Sequence, residues 1–376
     1  MSRSGWSPAG WLAMVLGLTL ACAAAVIAFN AWVDPFQHYH LSTRYPPRFY
    51  TLHHRWIDPG IARNAVYDVA LSGSSIMENT RNDVIAAACG GPAVNLSMPA
   101  MSAAEQRLIL DVALRSHRLR RAIVVLDFNE FAGAPDARQD VAGPLPRYLY
   151  DDNPLNDLPY VLSWDILRRS WSIVRDAHDA EFRTDASAPW YWAPRKTFGR
   201  AVVLDGLDLA RLNSRFQQPP RTLEGMRASF ERNLVPLLRR YPETRFDLVW
   251  PPYSILVWLD FAQRDQLDVT LDFKRSVAAS TRDLPNVHVH DLQAESSITH
   301  DLARYTDIYH FDAAVNDWMV KRVCGTPDPT AADLASQEAA LRAQVARVAT
   351  PAGLAAVVDR ADAPAGGEAQ RNTQAR

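Results

Sequence analysis

The chain has almost no net charge and very few cysteines. Its 40 Lys and Arg residues against 42 Asp and Glu residues give a formal net charge of −2. Nucleic-acid binding depends on clustered cationic side chains, so this balance argues against a nucleic-acid partner. None of the 3 cysteines lies in a spacing typical of a metal site, and we expect neither a metal nor another cofactor.

The small number of cysteines also limits cross-linking to one disulfide. Cys22 lies in a long apolar run, which leaves Cys89 and Cys324 as the candidates for a bridge. These two could pair in an oxidising compartment, but their spacing does not require it.

An apolar run without a charged residue occupies residues 11–29, WLAMVLGLTLACAAAVIAF. Its length suits the roughly 20 residues that cross a bilayer as a helix. A cleaved signal peptide is the alternative, but the small residues that a cleavage site needs lie inside the run, which favours a retained anchor. Arg3 precedes the run and Asp34 follows it. The positive-inside rule therefore predicts a single-pass protein of the inner (cytoplasmic) membrane with its main domain periplasmic or otherwise extracytoplasmic.

Short apolar segments alternate with helical ones in the rest of the chain. The expected strands cover residues 67–71, 93–96, 122–126, 246–250 and 287–290. Strands that alternate with helices indicate a parallel sheet covered by helices on both faces. We therefore predict an α/β fold, a three-layer sandwich around a central, mostly parallel five-stranded sheet.

The alternation stops at Ala132 and resumes near residue 213. The intervening segment is rich in Pro, Asp and Trp, too long for a plain loop and too aromatic for disorder, so we interpret it as an inserted lid or cap. The predicted organisation is a cytoplasmic N-terminus (1–10), an anchor (11–29), a juxtamembrane segment (30–64), the main domain (65–131 and 213–325), the lid (132–212), and a C-terminal region (326–376). In that last region we expect an Ala-rich helix over residues 331–348 and a disordered tail from residue 351 onward.

Polar residues follow the predicted strands at their carboxyl ends, where open parallel sheets place their ligand chemistry. The first strand runs into Gly73-Ser74-Ser75, the second into Asn95-Leu96-Ser97 and the third into Asp127-Phe128-Asn129-Glu130. Asp307-Ile308-Tyr309-His310 comes near the end of the main domain. A serine just after a glycine turn would start a helix, where free N–H groups favour a developing negative charge.

In their order, these segments resemble the four blocks of the SGNH (GDSL-like) hydrolases over about residues 66–323. Ser75 stands at the nucleophile position and Asn129 at that of the oxyanion-hole Asn. Three positions depart from the family pattern: Ser74 replaces an Asp, Ser97 the oxyanion-hole Gly, and Asp127 a leading Gly. The resemblance implies the flavodoxin-like SGNH fold. The anchor and the Gly-Ser-Ser variant are most similar to the polysaccharide O-acetylation and D-alanyl-transfer branches.

The last block, Asp307-x-x-His310, completes a serine-hydrolase set. His310 would take the proton of Ser75, because a serine hydroxyl needs an adjacent base, and Asp307 would hold the imidazole in the useful tautomer. The backbone N–H groups of Ser75 and Ser97 and the amide of Asn129 would stabilise the oxyanion. Asp307 and His310 could instead cap a helix that begins near residue 312.

The predicted function is that of a membrane-anchored extracytoplasmic serine esterase or O-acyltransferase. Its substrates would be acyl esters of a cell-envelope or extracellular glycan, and a membrane O-acyltransferase is a candidate partner. The alternative is a catalytically inactive SGNH-scaffold protein that serves binding or assembly in polysaccharide export or modification, which the three departures from the family pattern support.

Aromatic residues of the lid and polar residues after the fourth strand are the candidates for substrate binding. Trp190 and Trp192, with Trp171 and Tyr191, could stack on sugar rings or could fill the lid's own core. Tyr253 and Ser254 follow the fourth strand and are expected to face the same cleft.

Overall fold

The structure is a computed structural model that describes residues 7–49, 53–138, 145–177, 179, 187–210, 212 and 221–359. The first part of the predicted cytoplasmic segment and the predicted tail beyond residue 359 lie outside the described residues. The chain forms two compact units. The first unit comprises Met1–Ala65 and Ala142–Pro189, and the second comprises Val66–Val141 and Trp190–Arg376.

A five-stranded sheet forms the centre of the second unit. The strands are β1 (Val69–Ser72), β2 (Ala93–Asn95), β3 (Arg121–Val125), β4 (Arg245–Trp250) and β5 (Val287–Asp291). All neighbouring strands pair in parallel, in the order β2-β1-β3-β4-β5. Every residue of β1 and β3 is buried, as expected of strands covered on both faces. The predicted α/β class and parallel five-stranded sheet are confirmed.

Helices account for most of the remaining described chain. The first unit holds α1 (Pro8–Val33), α2 (His54–Asn64), α5 (Leu158–Val161) and α6 (Trp164–Arg175). The second unit holds α3 (Asn82–Cys89), α4 (Ala103–Ser116), α7 (Arg200–Leu204), α8 (Leu223–Asn233), α9 (Val235–Arg240), α10 (Ile255–Gln263), α11 (Leu267–Thr281), α12 (Ser296–Thr299), α13 (Ala313–Gly325), α14 (Ala331–Val348) and α15 (Pro351–Val358). Helix α3 packs against α13, and α8 packs against both α4 and α11.

In the first unit, the carboxylate of Asp34 organises the chain that follows α1. It accepts hydrogen bonds from the backbone N–H groups of His38 and Tyr39, at 3.0 and 2.7 Å, and from the hydroxyl of Tyr160, at 2.6 Å. His38 also contacts Asp157, with 3.3 Å between Nε2 and Oδ2. These buried bonds join the juxtamembrane segment to residues of the predicted lid. The structure therefore divides the lid: residues 142–189 belong to the first unit, and residues 190–212 belong to the second.

A disulfide connects two helices of the second unit. Cys89 ends α3 and Cys324 lies in the last turn of α13, and their sulfur atoms are bonded. The bridge joins residues 235 positions apart in sequence. The spacing of the cysteines left this pairing open.

The C-terminal region is more ordered than the sequence suggested. The helix predicted over residues 331–348 is present as α14. A further helix, α15, begins at Pro351, where the tail was expected to be disordered. The side chain of Thr350 accepts a hydrogen bond from the backbone N–H of Gly353 and Pro351 takes the first helical position, which together make a favourable helix start.

Candidate active site

The predicted nucleophile lies in a sharp turn at the carboxyl end of β1. Gly73 follows the strand, and Ser75–Met77 forms a short 3-10 turn. A Cβ atom on Gly73 would lie 2.9 Å from Cγ of Met77 and 3.1 Å from Cβ of Val125, so the close packing of this turn requires glycine. The turn's first hydrogen bond joins the N–H of Met77 to the carbonyl of Ser74, so the N–H of Ser75 takes no part in it.

Ser75, His310 and Asp307 form a continuous hydrogen-bonded chain. The hydroxyl of Ser75 is 2.8 Å from Nε2 of His310, and Nδ1 of the same ring is 2.8 Å from Oδ2 of Asp307. Since a carboxylate only accepts, Nδ1 carries the proton and Nε2 faces the serine as an acceptor. The structure thus brings together the three residues that the sequence singled out, in the order that a serine nucleophile, its base and an orienting carboxylate require.

The backbone around Asp307 fixes its carboxylate in place. Its Oδ1 accepts the N–H groups of Tyr309 and His310, each at 2.8 Å. Burial raises the pKa of Asp307, but the hydrogen bond and charge of His310 and these two N–H groups outweigh burial, so its pKa is lowered. The side chain that caps α13 is that of Asp312, which accepts the N–H of Val315 at 2.9 Å. Asp307 and His310 are therefore not that helix's cap.

Asn129 offers a donor whose orientation is set by an arginine. Its Oδ1 accepts a hydrogen bond from Nη2 of Arg221 at 2.6 Å. Because a guanidinium can only donate, the amide atom that faces it is the oxygen. Nδ2 is then directed elsewhere, and no hydrogen bond of Nδ2 occurs among the residues that the structure describes.

Arg221 is a residue that sequence reasoning missed. It is buried just before α8, and its guanidinium lies 4.7 Å from the ring centre of Phe261. No local pattern marks it, since it lies far in sequence from every predicted block and approaches Asn129 only in the folded chain.

The predicted oxyanion role of Ser97 conflicts with its hydrogen bonding. Its backbone N–H donates to Oδ1 of Asn95 at 3.0 Å, and the residue is fully buried. Nδ2 of Asn95 in turn donates to the carbonyls of Met77 and Thr80, at 2.7 and 2.9 Å. Asn95 thus ties the chain after β2 to the turn that carries the nucleophile. The side chain of Asn95 thus already accepts the backbone N–H of Ser97, which was expected to face the oxyanion.

Ser74 and Asp127, which follow different strands, contact each other. The hydroxyl of Ser74 donates to Oδ2 of Asp127 at 3.0 Å, and Oδ1 of Asp127 accepts the N–H of Asn129 at 2.9 Å. One carboxylate at the end of β3 therefore holds both the nucleophile turn and the segment that carries Asn129.

Trp192 supports the nucleophile turn through its backbone and its ring. Its indole N–H donates to the carbonyl of Ser75 at 3.0 Å, and its backbone N–H donates to Oδ1 of Asn79 at 3.0 Å. The ring meets His310 edge to face, with 5.8 Å between centres. Trp190 is buried, which contradicts its predicted stacking on a sugar. Trp192 is half-buried, and its hydrogen bonds assign it a supporting position.

The predicted substrate contacts after β4 are wrong, because Tyr253 and Ser254 have no exposed surface. The hydroxyl of Ser254 donates to the carbonyl of Ile308 at 2.8 Å and so holds the segment between Asp307 and His310. Tyr253 packs edge to face against Tyr309, with 5.4 Å between ring centres. Both residues shape the loop of the predicted base instead of facing the cleft.

Over the described ranges, the structure has no group of three or more His, Cys, Asp or Glu side chains that could hold a metal ion.

Comparisons with known proteins give little further information. No family model and no curated protein matches the chain. Among solved structures, one described as "a putative platelet activating factor from Streptococcus pneumonia" is similar, with 12% sequence identity and a TM-score of 0.37. That match covers 80% of this chain and 96% of the other. Similarity at this level supports no conclusion about the activity of this chain.

Proposed function

We propose that the protein is a serine esterase or O-acyltransferase of the SGNH type that acts on acyl esters of a cell-envelope or extracellular glycan. The observation that carries the proposal is the chain of two 2.8 Å contacts from the hydroxyl of Ser75 through the imidazole of His310 to the carboxylate of Asp307. A serine nucleophile, a base and an orienting acid in this order are the apparatus of acyl transfer.

In the first half-reaction, Nε2 of His310 takes the proton of Ser75 while Oγ bonds to the ester carbonyl carbon. The carbonyl oxygen becomes an oxyanion, for which Nδ2 of Asn129 and the N–H of Ser75 are the available donors. When the intermediate collapses, the imidazolium returns the proton to the leaving alcohol, and the acyl group stays on Ser75. Asp307 remains ionised throughout, consistent with its lowered pKa, and stabilises the imidazolium.

The second half-reaction decides between hydrolysis and transfer. His310 deprotonates either a water or an acceptor hydroxyl, whose oxygen attacks the acyl carbon. The imidazolium then returns this proton to Oγ of Ser75 as the bond between the acyl carbon and Oγ breaks. The same side chains perform both reactions, so the acceptor that enters the site determines the product. A membrane O-acyltransferase that supplies acyl groups is the partner we propose for the transfer reaction.

The strand order supports the flavodoxin-like form of the fold. The order 2-1-3-4-5 is that of doubly wound sheets whose ligands bind where the order reverses, between β1 and β3. Ser75 follows β1 and Asn129 follows β3. The proposed nucleophile and oxyanion donor thus lie on the two sides of this point in the sheet.

An extracytoplasmic location agrees with two features of the chain. Helix α1 is long and apolar enough to cross a membrane. The disulfide between Cys89 and Cys324 suits an oxidising compartment. We propose a single-pass anchor in the inner membrane with the main domain on the periplasmic side.

One observation favours the alternative, an inactive binding or assembly protein on the same scaffold. The N–H of Ser97 is bonded to Asn95, so one of the three donors that the family pattern provides is occupied. Loss of one oxyanion donor typically lowers kcat by about 10²–10³-fold, which weakens a serine hydrolase without abolishing its covalent chemistry.

Covalent labelling with a fluorophosphonate separates the two functions. Membranes that contain the full-length protein are treated with the probe, using Ser75→Ala as the test variant and Ser74→Ala as the matched control. We expect the wild type and Ser74→Ala to be labelled and Ser75→Ala to be unlabelled, with its melting temperature within a few degrees of the wild type. Labelling that persists in Ser75→Ala would contradict the assigned nucleophile. A folded wild type that never labels would support the inactive scaffold.

A further inference from the structure

Helix α6 of the first unit has two contrasting faces. One face is buried and comprises Ile166, Ser170 and Ile173. The opposite face is exposed and comprises Trp164, Arg168, Trp171 and Arg175, which recur at helical spacing. The two tryptophans are 75% and 63% exposed, far more than side chains that fill a small core. The prediction that Trp171 could fill the lid's own core is therefore wrong.

The exposed apolar surface extends along the chain before α6. Leu155, Leu158 and Leu162 are all exposed, and the last two lie four residues apart in and just after α5. Clusters of large exposed apolar side chains mark surfaces that are covered in the working protein. We call Leu158, Leu162, Trp164 and Trp171, with Arg168 and Arg175, the α6 face.

Buried hydrogen bonds hold α6 against the C-terminal end of α1. Nδ2 of Asn30 donates to the carbonyl of Val161 at 2.9 Å, and the hydroxyl of Ser170 donates to Oδ1 of Asn30 at 3.0 Å. Asn30 is fully buried although the 18-residue apolar window of α1 has no buried residue. These bonds therefore hold the α6 face at the level of Asn30 along the axis of α1.

Two tryptophans indicate where α1 would leave the hydrocarbon. Trp11 and Trp32 lie near its two ends and are both exposed. At about 1.5 Å per residue they are about 31 Å apart along the helix, which matches a hydrocarbon core of about 30 Å. Tryptophan is enriched at both membrane–water interfaces. Asn30, about 3 Å before Trp32 along the helix, then lies at the outer boundary of the hydrocarbon.

We propose that the α6 face lies in the phospholipid headgroup layer of the leaflet at which α1 ends. This inference rests on the membrane anchor of the proposed function. Exposed aromatic side chains together with arginines are typical of segments at the membrane–water interface. Arg168 and Arg175 also bond Asp165 and Asp176, so the tryptophans and leucines, and not a net positive charge, provide the attraction.

The hydrogen bonds of Asn30 hold α5 and α6 beside the end of α1, whose 18-residue apolar window has no buried residue. A bilayer that receives α1 would therefore also meet the α6 face, which is why we take a bilayer and not a protein partner as its occupant. The first unit then touches the membrane at two places, along α1 and along α6. A second attachment restricts the tilt and rotation of α1, since interfacial aromatic and cationic side chains set both.

Spin-label accessibility in full-length protein tests this inference. Cys22→Ser removes the free cysteine and leaves the disulfide intact. Single cysteines are introduced at Trp171 or Trp164, at Leu16 in the middle of α1, and at Glu224 on the second unit as a water-exposed control. The labelled proteins are placed in nanodiscs of phosphatidylethanolamine and phosphatidylglycerol. Collision rates with oxygen, which concentrates in lipid, and with an aqueous nickel chelate are then measured.

We expect the labels at positions 171 and 164 to collide with nickel at least about fivefold less than the label at Glu224, and to collide readily with oxygen. Nickel access equal to that at Glu224, with Leu16 protected, would overturn the inference and leave the anchor standing. Shielding from both reagents would also overturn it, because a protein partner or a second copy would then cover the face. Nickel access at Leu16 would refute the anchor itself.

Discussion

Replacement of Arg221 by Met tests whether this arginine holds the oxyanion donor in place. The guanidinium donates to Oδ1 of Asn129 at 2.6 Å and so keeps Nδ2 of the amide available as a donor. Methionine retains much of the side chain's apolar packing against Phe261 but cannot donate. The amide can then turn over and present its oxygen, which repels an oxyanion.

The size of the effect depends on the bond that is lost. A hydrogen bond from a charged donor contributes about 1.5–3 kcal/mol, which corresponds to about 10- to 150-fold in the ratio of the two amide orientations. Removal of the donor altogether, as in Asn129→Ala, lowers kcat by about 10²–10³-fold. We therefore expect Arg221→Met to lower kcat by about 10- to 100-fold and to change KM little, because the oxyanion forms only in the transition state.

Ester hydrolysis by the single and double variants provides the assay. If Arg221 acts through Asn129, Arg221→Met costs less than about threefold when Asn129 is already alanine, since the two changes then remove one interaction. Arg264→Met is the matched control. Arg264 directly follows α10, the helix that carries Phe261, and bonds Asp260 at 2.8 Å, but it has no contact with Asn129 among the interactions of the described residues.

Equal losses from Arg221→Met in the two backgrounds would refute the reasoning, because independent effects are additive. An equal fall in kcat for Arg264→Met would likewise show that the loss of any nearby cation, and not the orientation of the amide, is responsible.

Three further changes have defined outcomes. Asp307→Asn should lower kcat by about 10⁴-fold in the ester assay while preserving the fold, because the amide favours the wrong tautomer of His310. Replacement of Cys89 and Cys324 by Ser should lower the free energy of unfolding by about 2–5 kcal/mol in urea titrations, since the bridge closes a loop of 235 residues. Glu130 is buried, and burial followed by the charge of Asp127 raises its pKa well above the usual value. The folded protein then retains a proton that the unfolded chain releases above about pH 4.3, so stability falls as pH rises from there. Glu130→Gln removes this contribution, so the melting temperature of the variant should fall less than that of the wild type as the pH rises above about 4.3.

Each of these predictions has an outcome that contradicts it. Wild-type turnover in Asp307→Asn would show that the carboxylate does not orient the base. An unchanged urea midpoint in the serine double variant would show that the bridge contributes no stability. Parallel pH profiles for Glu130→Gln and the wild type would show that Glu130 binds no extra proton on folding.

The sheet was predictable because its signal is local. All five strands lie within a few residues of the predicted segments, since each is a short apolar run bounded by turn residues. No comparable local sequence pattern predicted the arrangement of the first unit. The contact of Tyr160 with Asp34 joins residues 126 positions apart, and the burial of an isolated aspartate follows no sequence period. Sequence reasoning accordingly assigned residues 142–189 to a lid.

The site shows the same division between local and long-range information. Ser75, Asp307 and His310 were found because each lies in a short motif at a strand end or a loop. A position after a strand identifies the edge of the sheet but not whether the side chain reaches solvent, which is why Tyr253 and Ser254 were misassigned. Neither the hydrogen bond of Asn95 to Ser97 nor the approach of Arg221 to Asn129 can be derived from spacing.

The hydrogen bond between Ser74 and Asp127 joins two of the three positions at which the sequence departs from the SGNH pattern. The family has a carboxylate after the first strand and a glycine after the third, and this chain has the reverse: a small residue at 74 and a carboxylate at 127. Because Ser74 and Asp127 are hydrogen-bonded at 3.0 Å, one carboxylate lies at the junction between these two positions. That carboxylate also accepts the N–H of Asn129, so it positions the nucleophile turn and the donor segment together. At the third position, the backbone N–H of Ser97 is bonded to Asn95. A site with the amide of Asn129 and the N–H of Ser75 has two of the three expected oxyanion donors. The missing donor lowers the rate but leaves the proposed mechanism in place. These contacts support the proposal of an active esterase or acyltransferase over that of an inactive scaffold.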